Sequence, residues 1–153
     1  MPLNERITSV DELRSWTDKI PFRYEYTAGV AGERFLRGLQ EGKILAGTCE
    51  KCGKRYLPPK MYCVDCFLPI TMYAEVGPVG TVTALTESHL DFQGKRLGSP
   101  FLMAFVTFGG VTGGIIHRVE GKGLKVGSKV EARFVTQSSR KGSLLDIEKF
   151  VTA

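Results

Sequence analysis

The sequence predicts a mainly β fold with helices at its N-terminus, and three observations carry that prediction. All four cysteines fall in one stretch, CEKCGKRYLPPKMYCVDC, as two CxxC pairs (Cys49/Cys52 and Cys63/Cys66) separated by ten residues. From Gly80 onward, β-branched and aromatic runs alternate with glycine-rich breaks. Ahead of the cysteines, apolar residues recur at helical spacing. The expected order is therefore a helical segment (1–42), a two-knuckle ribbon (43–76) and a five-stranded barrel (77–153).

Ser9 followed by Glu12 has the form of a capping box, and Val10, Leu13 and Trp16 or Thr17 then share one side of a short helix that Pro21 ends. Residues 22–27, FRYEYT, are aromatic without a clear period, and read equally as an extended link or as part of a binding surface. A second helix begins near Gly29 or Gly32 and runs to Glu41, with Ala31, Phe35, Leu36 and Leu39 on a narrow apolar stripe and Gly42 as its stop. Gly29, Gly32 and Gly38 weaken it, so it must gain stability by packing on the ribbon or on a partner. Arg34 and Arg37 lie beside the stripe, as solvated arginines or as phosphate contacts.

Lys43–Thr48 reads as the strand entering the first knuckle, Arg55–Leu57 as a short strand stopped by Pro58 and Pro59, and Ile70–Val76 as the strand leaving the second. Two CxxC pairs let four thiolates converge on one tetrahedral ion. Gly53 supplies the positive φ that such a turn favours; the matching position of the second pair is Phe67, a less suitable residue. Two disulfides or four inert thiols are the competing readings. Met1–Ile20 is charged and polar, so no secretory signal is expected there, which favours metal. Four cysteines fill a shell and leave no place for a catalytic water, so the expected ion is a structural zinc, with iron equally compatible with the spacing.

Gly77, Pro78 and Gly80 break the chain. Thr81–Glu87, Phe101–Phe108 after Pro100, Ile115–Val119, Val130–Thr136 and Leu144–Val151 are the five barrel strands, with Gly109, Gly110, Gly113 and Gly114 punctuating the hairpin before the third. Five strands in about seventy-five residues fit the oligonucleotide/oligosaccharide-binding (OB) barrel plan. His89 and His117 have no neighbouring nucleophile and read as structural or surface residues. No GxSxG, Walker or GxGxxG motif occurs, so no catalytic residue is expected.

A chain of 153 residues with 42% hydrophobic content folds as a soluble protein, and its longest apolar run is too short to span a bilayer, so a cytoplasmic place is expected. The net charge of +5 is uneven: residues 1–48 hold seven basic and seven acidic side chains, 49–76 four and three, and 77–153 ten and six. Such a bias suits a polyanionic partner, either nucleic acid or the phosphates of a cofactor, or simply a solvated basic surface.

The order of parts resembles a family of acyl-CoA-associated proteins in which N-terminal helices, a rubredoxin-like zinc ribbon and an OB-fold share one chain. The resemblance rests on GKILAGTCEKCGKRYLPP (42–59), CVDC (63–66), GPVGTV (77–82), Pro100 and VGSKVEARF (126–134). Val64 departs from the proline that often follows the first cysteine of the second pair. The resemblance implies a non-catalytic accessory or scaffold subunit of a thiolase-type enzyme, in some assemblies together with hydroxymethylglutaryl-CoA synthase, near or in contact with an acyl-CoA ester. If CoA touches the chain, Arg34, Arg37, Arg55 and Lys60 are the expected phosphate partners, and Phe35 or Tyr56 the expected contacts of adenine or the pantetheine arm. The alternative is a single-stranded nucleic-acid binder using Phe92, Phe101, Phe105 and Phe108 as stacking platforms, although the last three also read as core.

Overall fold

The computed structural model describes residues 26–91 and 93–153. The helix expected from Ser9 to Pro21 and the stacking role expected of Phe92 lie outside the described residues.

Helix α1 spans Gly29–Glu41 and ends as the sequence predicts: Gly42 is left-handed (φ 83), with Lys43 N donating to Gly38 O and Gly42 N to Leu39 O. Its buried face is Ala31, Phe35, Gly38 and Leu39. Gly38, a weakness in an isolated helix, is where α1 settles on the sheet, since a Cβ there would come within 2.6 Å of Leu45 Cγ. Arg140, from the far end of the chain, sits against Gly42, and places a positive charge at the negative end of the helix dipole.

The ribbon strands are β1 (Leu45–Thr48), β2 (Arg55–Leu57) and β3 (Met72–Glu75), with β1 paired antiparallel to both others. The barrel strands are β4 (Val79–Leu90), β5 (Arg96–Thr107), β6 (Thr112–Glu120), β7 (Lys129–Phe134) and β8 (Ile147–Thr152). They pair in the order β6-β5-β4-β7-β8, and a parallel β6–β8 pairing at Val119/Phe150 and Glu120/Val151 closes the ring. This is the five-stranded closure expected of the OB plan. The strands β4 and β5 are longer than expected, because their outer halves continue as a hairpin whose turn Asp91 holds by accepting from the Gln93 and Lys95 amides. The break before β6 is made at Gly109 and Gly110 alone, and Gly113 and Gly114 belong to the strand. Leu144–Asp146 forms a 3-10 turn, and the last strand starts only at Ile147.

Ribbon and barrel are joined by two features the sequence did not suggest. β2 pairs parallel with β6 through Tyr56/Thr112 and Leu57/Gly113, so one eight-stranded sheet crosses the Gly77 break. Gly113 permits the approach: its φ is 95, and a Cβ there would run into the Leu57 carbonyl. The hydrophobic core is also shared, because Phe35, Leu39, Ile44, Ala46 and Leu57 pack with barrel residues such as Val82, Val106, Val130 and Phe150. A second, smaller core of Cys49, Tyr56, Cys63 and Ile70 belongs to the ribbon alone. Successive residues of β2 face opposite ways, so Tyr56 enters the ribbon core and Leu57 the barrel core.

Candidate functional site

The two knuckles repeat each other. In the first, Gly53 N donates to Cys49 O and Cys49 N to Lys54 O; in the second, Phe67 N donates to Cys63 O and Cys63 N to Leu68 O. The turns need positive φ at equivalent positions, and Gly53 (φ 71) and Phe67 (φ 55) both adopt it. Phe67 is the sole described non-glycine residue with positive φ, and its side chain is 81% exposed. The sequence signal, a glycine missing from the second CxxC, thus becomes an outward-pointing aromatic at the tip of that knuckle.

The four sulfurs lie within 4.8 Å of one another, with Cys52 and Cys63 3.6 Å apart. A tetrahedral shell at the Zn–S bond length of about 2.3 Å puts its sulfurs roughly 3.8 Å apart, so the donor set fits one ion. The thiols are free rather than paired in disulfides. This is a four-cysteine metal-binding site.

Its electrostatics favour a cation. The Tyr56 hydroxyl lies 3.3 Å from Cys63 Sγ, and this bond, against the cost of burial and aided by the Asp65 and Cys66 amides, brings the Cys63 thiol down to about 6. Cys66 is pushed up to about 12, first by its hydrogen bond with Cys52 and then by burial and by Cys63. Cys52 is also raised: the Lys54 amide pulls it down, but burial and the neighbouring Cys49 and Cys63 outweigh that pull. One sulfur therefore ionises readily while its neighbours resist adding negative charge, and a divalent ion removes that resistance. Lys54 and Asp65, one from each knuckle, pair at 2.6 Å across the mouth; Asp65 is held below the usual carboxylate range, mainly by that bond.

The residues expected to contact CoA do not converge. Phe35 is 5% exposed in the barrel core and Tyr56 2% exposed in the ribbon core, so neither ring is open for an adenine or a pantetheine arm; this corrects the expectation, and the cause is that both apolar rings are used as packing. Lys60 lies over the Tyr56 ring at 5.4 Å from its centroid, and Arg55 donates to the Glu75 carbonyl at 3.3 Å. Arg34 and Arg37 are brought together on the exposed side of α1, at a cleft of about 560 Å³ whose other wall includes Leu45, Ile70 and Tyr73. Arg37 is already paired with Glu33 at 2.6 Å.

Of the expected stacking platforms, Phe108 is buried at 4% and Phe101 and Phe105 are half-buried on β5, with the Arg118 guanidinium over the Phe101 ring at 5.7 Å. His89 is exposed beside Glu87, whereas His117 is half-buried, bonds the Leu144 carbonyl through Nε2 and packs edge-on against Phe150. No described helix is long and apolar enough to cross a membrane.

What sequence reasoning missed is the exposed apolar surface on the second knuckle. Met61 (49%), Tyr62 (57%), Val64 (51%), Phe67 (81%) and Leu68 (44%) all stand on one ten-residue hairpin, closed by the Tyr62/Pro69 bridge and the Ile70-to-Met61 hydrogen bond. The run of apolar residues was visible, but only the inward turn of the cysteines shows that its side chains point outward.

A family profile described as the ChsH2 rubredoxin-like zinc ribbon domain matches residues 37–67. A crystal structure of a DUF35-family protein of unknown function from Sulfolobus solfataricus is similar at 31% identity over 85% of this chain and 90% of that one, with a TM-score of 0.66. A second solved structure, described as the Ltp2–ChsH2(DUF35) aldolase, shares the fold at 15% identity, covering 78% of this chain and 91% of that one, with a TM-score of 0.60. No curated protein matches significantly.

Proposed function

We propose, from the premise that this chain belongs to the DUF35 family, that it is a non-catalytic accessory subunit which docks a thiolase-type acyl-CoA enzyme through its metal-stapled ribbon. The observation that carries this reading is the exposed apolar second knuckle, held rigid from below by the four-cysteine site and presented by a strained, 81% exposed Phe67. A contiguous apolar surface of this kind on a soluble chain marks an interaction site. Strain retained at such a position supports the same inference.

The resident ion is zinc in this reading, since four thiolates in a closed tetrahedral set suit it and it adds no redox chemistry. Cys49, Cys52, Cys63 and Cys66 hold it, and it supplies folding energy to a ribbon whose own core has only four fully buried residues. The protein described as the Ltp2–ChsH2(DUF35) aldolase pairs a chain of this fold with a second component, which supports an accessory role. The acyl-CoA ester is held by the partner enzyme: of the six residues expected to contact it here, two are buried, two are engaged elsewhere, Arg37 is paired with Glu33 and only Arg34 is exposed without an ion pair among the described residues.

Affinity purification of the full chain from its native cell tests the proposal. An acyl-CoA enzyme should co-purify with the wild type and be lost with Phe67→Asp while the metal content stays the same. Recovery of nucleic acid instead, or of no enzyme at all, would defeat it.

A further inference from the structure

The cleft beside α1 has the features of a second recognition element, distinct from the knuckle. Its floor is the ribbon sheet, and its outer margin is β3, which pairs only with β1 among the described residues. Val76 N donates to Ile44 O, and antiparallel pairing alternates, so the Tyr73 amide and carbonyl face away from β1, along the open edge. An unpaired edge of this kind is a template for an added strand. Among the described residues it is unpaired at Tyr73 and closed at Glu75, whose carbonyl already accepts from Arg55.

The helix wall carries three charged side chains, Arg34, Arg37 and Glu41, the last paired with Lys43 at 3.2 Å. Arg37 is held by Glu33, but Arg34 is exposed and makes no ion pair among the described residues. One guanidinium without an ion pair among the described residues, beside one strand edge, suits one carboxylate rather than the several phosphate charges of a nucleotide. Val30 (61% exposed), with Leu45 and Ile70 on the floor, offers apolar contact beside that charge. The volume of about 560 Å³ accommodates a few side chains.

We infer that this cleft takes an extended acidic segment of the partner protein, added as a short strand along β3 with a carboxylate on Arg34. The inference rests on the accessory role proposed above for the identity of its partner, but the cleft can be tested alone. The full, metal-loaded chain, labelled with ¹⁵N, is titrated with a capped octapeptide alternating valine and glutamate, with the same peptide carrying lysine for glutamate, and with coenzyme A. The glutamate peptide should shift the Tyr73 and Arg34 amide resonances and slow hydrogen exchange of the Tyr73 amide about fivefold or more. Arg34→Glu, a surface change that leaves the fold intact, should abolish that binding and transfer it to the lysine peptide. Equal binding of both peptides, no exchange protection at Tyr73, or displacement of the glutamate peptide by coenzyme A in an Arg34-dependent manner would overturn the inference. Co-purification separates the two proposals: an enzyme recovered equally by wild type and Arg34→Glu sinks this inference and leaves the accessory role standing, whereas peptide binding without any recovered enzyme does the reverse.

Discussion

Phe67 and Asp146 show two ways in which a single residue departs from what its type would suggest. Phe67 occupies the left-handed position that Gly53 fills in the first knuckle. A bulky side chain there is strained, so Phe67→Gly should leave metal binding unchanged and raise stability or leave it level, by up to about 1 kcal/mol. Thermal unfolding checks this, and the same variant should recover less of the partner enzyme proposed above, because the exposed ring is gone. Asp146 is 3% exposed, and burial alone would push its carboxyl up. The amides of Lys141, Ser143 and Gly142 and the charge of Arg140 more than offset that, and the net shift is downward. A depressed carboxylate contributes stability that is present at neutral pH and is lost as pH falls through its folded value, in the region below about pH 4. Asp146→Ala should destabilise by about 1 to 3 kcal/mol at pH 7, because three partly buried amides lose their acceptor, and should flatten the acid limb of the stability–pH curve.

At the scale of elements, α1 and the β2–β6 pairing carry the architecture. The helix was expected to be weak alone and to need a packing surface, and it finds one in the barrel core through Phe35 and Leu39 and on β1 through Gly38. Its apolar stripe was legible because burial against a sheet requires helical spacing. The identity of the surface was not, because that depends on chain segments far away in sequence. The β2–β6 pairing hangs on Gly113, and Gly113→Ala should destabilise the protein by about 2 to 3 kcal/mol, measured by chemical denaturation, with hydrogen exchange rising first at Leu57 and Tyr56. In the sequence Gly113 looked like part of a turn, since a glycine that admits a neighbouring backbone has the same local signature as one that admits a positive φ at a reversal.

For the whole molecule, the two cores differ in what holds them. The barrel core draws on residues from helix, ribbon and barrel, whereas the ribbon core is Cys49, Tyr56, Cys63 and Ile70, two of which are metal ligands. Removing the ion with a chelator, or replacing Cys63 with Ser, should therefore unfold the knuckles without unfolding β4–β8. Hydrogen exchange would show Tyr56 and Ile70 losing protection while Val106 and Phe150 keep it; loss of protection throughout would mean that the barrel depends on the metal.

Local chemistry was sufficient for a good part of this protein. The four metal ligands, the helix and its glycine stop, and the strand runs of the barrel all follow from spacing and periodicity, because each is set by residues within a few positions of one another. Long-range contact decided the rest. It buried Phe35 and Tyr56, which by type alone suited a ligand, and it turned the second knuckle's apolar residues outward. It also opened a cleft between α1 and β3. An aromatic ring is written the same way whether it faces a core or a partner, and only closing the chain on itself determines which.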